Sequence, residues 1–173
     1  MRKKMSGNYF KLIDFYSLFY FKYLKNRKIT DPHYWTNYLS DPAHSAWCGY
    51  AFERLCMAHI AQIKQKLGIS GVITNVYAFR SSQRKGGAQI DLVIDRRDDT
   101  INLCECKYSA GTHTLISTDA ADLERKKEVF LRESGTKKSI HMTMITSCGL
   151  AQNAYRNDIQ SEITLDDLFL PLL

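Results

Sequence analysis

Hydrophobic positions change their period several times along the chain, and each change marks an element. Residues 8–25 (NYFKLIDFYSLFYFKYLK) set Phe15, Leu18, Phe19 and the Lys22–Tyr23 pair at helical spacing, which predicts an aromatic-rich helix with a broad apolar face. Asp31-Pro32 and Asp41-Pro42 each read as a helix start, with Asp as cap and Pro in the first turn. From Trp47 onward Phe52, Leu55, Cys56, His59, Ile63 and Leu67 follow one helical stripe that Gly68 closes. The β-branched run 71–79 predicts a strand, and a basic turn follows at Arg80–Gly87. AQIDLVID (88–95), a polar turn at 96–100 and INLCECK (101–107) predict a hairpin. A helix over 119–133, capped by Thr118 or Asp119, precedes an alternating strand at 139–146. A short helix near 150–156 and a final strand or turn complete the pattern. The order is helix, three strands, helix, strand. It predicts an α/β architecture with a mixed sheet flanked by helices, because the last of these strands follows a helical crossover. The change of texture divides an aromatic helical extension, residues 1–45, from an α/β domain, residues 46–173.

Composition narrows the function classes. With 173 residues, 45% of them hydrophobic and few Gly or Pro, the chain is long enough for a buried core and excludes intrinsic disorder as its main state. The net charge of +6 permits an acidic partner without demanding one. Five cysteines with no CxxC pair point to reduced, mostly buried thiols, not a disulfide frame or zinc site. The basic start is not followed by an apolar h-region, and no stretch is apolar for the roughly 18 residues a membrane span needs. A cytoplasmic location with no membrane partner is the expectation.

The chemistry concentrates between Asp91 and Lys107. In a strand Glu105 and Lys107 project on one face and Cys104 and Cys106 on the other, while Asp91 lies on the neighbouring strand of the hairpin. Two adjacent carboxylates repel one another, and a divalent cation such as Mg2+ or Mn2+ relieves that repulsion. A lysine beside such a cation suits phosphodiester hydrolysis, through orienting water or stabilising charge on phosphate. Glu53 borders the buried stripe of the long helix, where it reaches the same pocket if the helix packs on the sheet.

A helix bearing Glu53, then Ala88-Gln-Ile-Asp91, then Glu105-Cys-Lys107 resembles the PD-(D/E)XK nuclease superfamily, which includes restriction endonucleases and archaeal Holliday-junction resolvases. Ile90 stands where that pattern has Pro. Trp47–Glu53, Gly87–Asp91, Cys104–Lys107 and Asp166–Phe169 further resemble the C-terminal, nuclease-like region of prokaryotic AAA-type ATP-binding proteins. The aromatic segment 9–24 is similar to the stretch that joins the two parts there. The chain contains no GxxxxGK[ST] loop, so an ATPase would be a separate domain or subunit.

The resemblance implies a restriction-endonuclease-like core and metal-dependent cleavage of DNA. It makes Asp91, Glu105 and the Cys106 backbone carbonyl ligands of Mg2+ or Mn2+. Lys107 becomes the catalytic lysine, Glu53 a residue orienting a second metal or its water, and Lys126 an auxiliary polar residue. Superfamily members frequently act as dimers, although no residue pattern in this chain marks an interface.

Other readings of the same residues stand beside these. Asp91, Glu105 and Lys107 also suit a structural ion pair on a solvated strand face, but Leu92, Val93, Ile94, Ile101 and Leu103 make both faces apolar. An acid near a helix start is favoured by the helix dipole alone. Arg80, Arg84 and Lys85 either grip DNA phosphates or lie in a solvated hairpin loop. The whole domain is compatible with a non-cutting module that binds DNA or docks on an ATPase.

Overall fold

The computed structural model describes residues 14–25, 31–39, 41–83 and 86–173. The chain divides into two compact units, Met1–His44 and Ser45–Leu173.

In the first unit, α1 (Phe15–Phe19) begins at Asp14, whose Oδ2 accepts the Ser17 N–H at 2.6 Å, and runs into a π-helical turn at Tyr20–Leu24. A short α2 (Tyr34–Tyr38) follows Asp31, whose Oδ1 accepts the His33 N–H. Residues 8–13 of the aromatic segment lie outside the described residues. Within its described part Tyr23 is buried and bonds the His44 ring at 3.1 Å, with Trp35 and Tyr38 packed edge-on against it. Phe15, Tyr16, Tyr20 and Phe21 stay exposed, so only one side of the expected apolar face is covered.

Helix α3 (Pro42–Ala58) starts where Asp41-Pro42 predicts, with Asp41 Oδ1 capping the Ala43 N–H at 2.7 Å. The stripe that predicts one continuous helix is interrupted at His59, and α4 (Ile60–Lys66) resumes after it. There the His59 ring takes the Leu55 carbonyl at 2.8 Å, a side-chain claim on the backbone that periodicity does not register. Strands β1 (Thr74–Arg80), β2 (Gln89–Arg96), β3 (Thr100–Lys107), β4 (Ser139–Thr146) and β5 (Ser161–Thr164) form one sheet in the order β1-β2-β3-β4-β5. The first three are antiparallel neighbours, while β3–β4 and β4–β5 are parallel. β1 begins three residues later than predicted, because Gly71–Ile73 belong to the turn leaving α4.

Helix α5 (Ser117–Ser134) makes the crossover from β3 to β4. It starts two residues earlier than predicted, and Asp119 acts from inside the first turn by accepting the Ile116 N–H at 3.1 Å. A 3-10 turn (Ala154–Asp158), β5 and a second 3-10 turn (Asp166–Phe169) form the tail.

Alternation along the strands divides the core into two layers. Leu92, Ile94, Cys104, Cys106, Ile145 and Ile163 face Phe52, Cys56 and Ile63 of α3 and α4. Val93, Ile101, Leu103, Met142 and Met144 face Leu123 and Phe130 of α5, and Ile90 joins them out of turn with Leu92, beside the irregularity that shifts the β1–β2 register between Tyr77 and Phe79. With both faces covered, every residue of β3 from Ile101 to Cys106 is buried. Among the described residues no helix is long and apolar enough to cross a membrane.

Candidate active site

The end of β3 carries charge into this apolar sheet. The β2–β3 register pairs Val93 with Leu103 and Leu92 with Cys104, and Asp91 follows where that pairing ends. There the ladder gives way to a side-chain bond: the Cys106 N–H donates to Asp91 Oδ2 at 3.0 Å. That bond fixes Asp91 against the β3 backbone. Cys106 thus meets the acid through its amide, and its thiol lies in the opposite core layer beside Cys104 and Cys56.

Glu105 is only 6% exposed, and each of its carboxylate oxygens meets an ammonium. Lys107 Nζ lies 3.4 Å from Oε1, and Lys126 Nζ lies 2.6 Å from Oε2. Lys126 comes from α5, where Leu123 and Phe130 of the same face dock on the sheet and carry Lys126 between them. The Asp122 carboxylate, one turn earlier, holds the same ammonium at 3.3 Å and the Arg125 guanidinium at 2.5 Å.

Burial, followed by the neighbouring Asp91 charge, pushes the Glu105 carboxyl above the usual carboxylate range despite both lysines. Burial pulls the Lys126 ammonium down, but Glu105 and Asp122 overcome that and leave it raised.

The structure therefore brings Asp91, Glu105, Lys107 and Lys126 together. Glu53 is half-buried on α3, which packs on the Cys104–Cys106 face, whereas Glu105 points to the face that α5 covers. Among the described residues no three His, Cys, Asp or Glu side chains form a metal-binding cluster.

The basic turn is tied to α5. Glu133 accepts the Ser81 hydroxyl at 2.5 Å and the Ser82 N–H at 3.1 Å, and Arg125 donates to the Gly87 carbonyl at 2.6 Å. Gly87 fits because a Cβ there would lie 2.6 Å from the Gln83 carbonyl oxygen, a close approach within the loop itself. Arg80 is exposed and donates to Gln89 Oε1, while Arg84 and Lys85 lie outside the described residues.

The sequence reading missed Asp122, although its i,i+4 spacing to Lys126 was available as a signal.

Comparison with known proteins finds no matching family model and no matching curated protein. A crystal structure of a protein of unknown function aligns with 63% of this chain at 17% identity and a TM-score of 0.40. The chain spans 56% of that protein's length.

Proposed function

We propose that residues 46–173 form a PD-(D/E)XK-type nuclease domain that hydrolyses DNA phosphodiesters with Mg2+ or Mn2+. The observation that carries this reading is the convergence of Asp91, Glu105 and Lys107 at the end of a hairpin whose strands bury Leu92, Val93, Ile94, Ile101 and Leu103.

The donor set fits the cation. Asp91 bonded to the Cys106 amide and Glu105 close enough for their charges to interact make an oxygen site, and Mg2+ is commonly held by one or two carboxylates with water filling the rest. When bound, such an ion supplies Lewis acidity toward a phosphoryl oxygen and lowers the pKa of its water. Asp91, fixed by the Cys106 amide, and Glu105, at the inner end of the site, would hold it, with the Cys106 carbonyl as a third donor.

Lys107 is 39% exposed at its side chain and stands on the outer side of Glu105, where a phosphate would arrive from solvent. Its ammonium would orient the attacking water and offset charge developing on the phosphate. Arg80, with Arg84 and Lys85, would contact flanking phosphates on the DNA strand. The reduced cysteines and the missing h-region suit a cytoplasmic setting, and the resemblance adds an ATPase domain or subunit as partner and a homodimer as one working assembly.

The decisive assay is cleavage of duplex, single-stranded and branched DNA with Mg2+ or Mn2+, beside Lys107→Ala. Metal-dependent cutting that the variant loses by a factor of about 100 or more supports the proposal. Cutting that persists in Lys107→Ala removes the lysine from the mechanism.

One observation favours a second reading. Glu105 is already engaged on both oxygens by lysines, as in a fold that keeps the acids while serving only to bind DNA or dock on an ATPase. Folded protein that binds DNA without cutting it under any metal would select that reading.

A further inference from the structure

Lys126 differs from Lys107 in having a second carboxylate within reach. Its Nζ lies 2.6 Å from Glu105 Oε2 and 3.3 Å from Asp122 Oδ2, and Asp122 Oδ1 is taken separately by Arg125. Lys126 is nearly buried at 12% side-chain exposure, whereas Asp122 reaches solvent at 43%. We propose that Lys126 is the counter-ion Glu105 keeps until a divalent cation replaces it, and that Asp122 receives the displaced ammonium. This rests on the reading of Asp91 and Glu105 as cation ligands.

The physical case is one of exchange. An ammonium has donors only, so it holds Glu105 Oε2 by occupying the lone pairs a metal ion would use. A dication arriving there removes that acceptor and repels the ammonium. An ammonium stranded in the α5 interface without an anion would be costly. Asp122 is already within ion-pair distance one helical turn away, so Lys126 can leave Glu105 without becoming unpaired or crossing apolar surface. Lys107 has no such second acid among the described contacts and is more exposed, so it can move into solvent. The device keeps Glu105 neutralised in the metal-free protein and makes cation binding depend on a short shift along α5.

The test is direct Mn2+ binding to the full chain, read from the electron paramagnetic resonance signal of free Mn2+. Wild type is compared with Lys126→Met, Lys107→Met, Asp122→Asn and Glu105→Gln. The proposal expects Lys126→Met to bind Mn2+ about tenfold more tightly, because one charge-assisted contact need no longer be broken. Lys107→Met should gain less than Lys126→Met, and Asp122→Asn should bind several-fold more weakly than wild type.

Equal gains in the two lysine variants would reduce the effect to loss of a nearby positive charge and overturn the exchange. So would an unchanged Lys126→Met alongside loss of binding in Glu105→Gln, an outcome that leaves the cation site itself standing. Absence of Mn2+ binding in wild type and every variant would remove the cation site and the exchange with it. If Lys126→Met does not fold, the exposed Asp122→Asn decides: affinity equal to wild type overturns the proposal.

Discussion

Docking of α5 puts Lys126 over Glu105, so the anchor of that helix is where the architecture of the site can be tested most sharply. Phe130 is 1% exposed and meets the edge of Phe79 with ring centroids 5.1 Å apart. Phe130→Ala removes a ring enclosed by the sheet layer of Ile90, Val93 and Leu103. A buried Phe→Ala costs about 3–5 kcal/mol, the lost transfer energy plus a cavity that the two-layer core can only partly close. Roughly 0.5–1.5 kcal/mol of that belongs to the edge-to-face pair. Against a total stability of about 5–15 kcal/mol, the variant loses a large share of its margin.

The assay is urea unfolding followed by circular dichroism, in which the midpoint should fall while the slope stays constant. Phe130→Leu should retain most of the volume and lose about 1 kcal/mol. A loss below about 1 kcal/mol in Phe130→Ala would refute the reasoning, because α5 would then not be held through this ring. The burial of Lys126 would need another cause.

Two further outcomes follow from buried polar groups. The Glu105 carboxyl is raised above its ordinary 4.5 on folding, so its contribution to stability is complete below pH 4.5 and is lost as pH rises through the folded value. Glu105→Gln removes that dependence, so the stability of wild type relative to the variant should fall on going from acid to neutral pH; a difference that is flat with pH in thermal melts contradicts the assignment. Thr143 Oγ1 accepts the Asn102 amide at 3.1 Å between two buried positions on β3 and β4. Thr143→Val should cost about 1–3 kcal/mol, and adding Asn102→Ala should cost less than the sum of the single variants, as a double-mutant cycle in urea would measure.

Much of the site was legible because strand alternation is rigid. Once 88–95 and 101–107 read as a hairpin, Glu105 and Lys107 had to share a face and the cysteines had to take the other, which is how the two core layers divide them. β4 runs over 139–146, the predicted bounds. Helix termini were harder. At the start of α5, Asp119 caps from within the first turn, two residues beyond where the helix begins.

The burial of Lys126 was not legible. In the run Glu124-Arg-Lys-Lys-Glu128 adjacent lysines look alike, and only docking through Leu123 and Phe130 turns Lys126 inward while Lys127 pairs with Glu124 outside. Helical periodicity shows that Glu53 borders a buried stripe, but not which face of the sheet that stripe covers.

These facts bear on why such a cluster sits in a core at all. Replacing a buried ion pair by apolar residues of similar volume is often neutral or stabilising, so Lys126 and Glu105 are poorly explained as devices for stability. Leu103 and Met144 beside them show that this layer is built to take aliphatic side chains. Glu105 is held where burial and the Asp91 charge both oppose its ionisation, and two lysines only partly offset them. An acid kept at that cost beside a second acid, with one ammonium toward solvent and another between two carboxylates, is what the proposed exchangeable cation would require. A surface hairpin with a stray ion pair would show exposed strands and a solvated Glu105, and β3 shows neither.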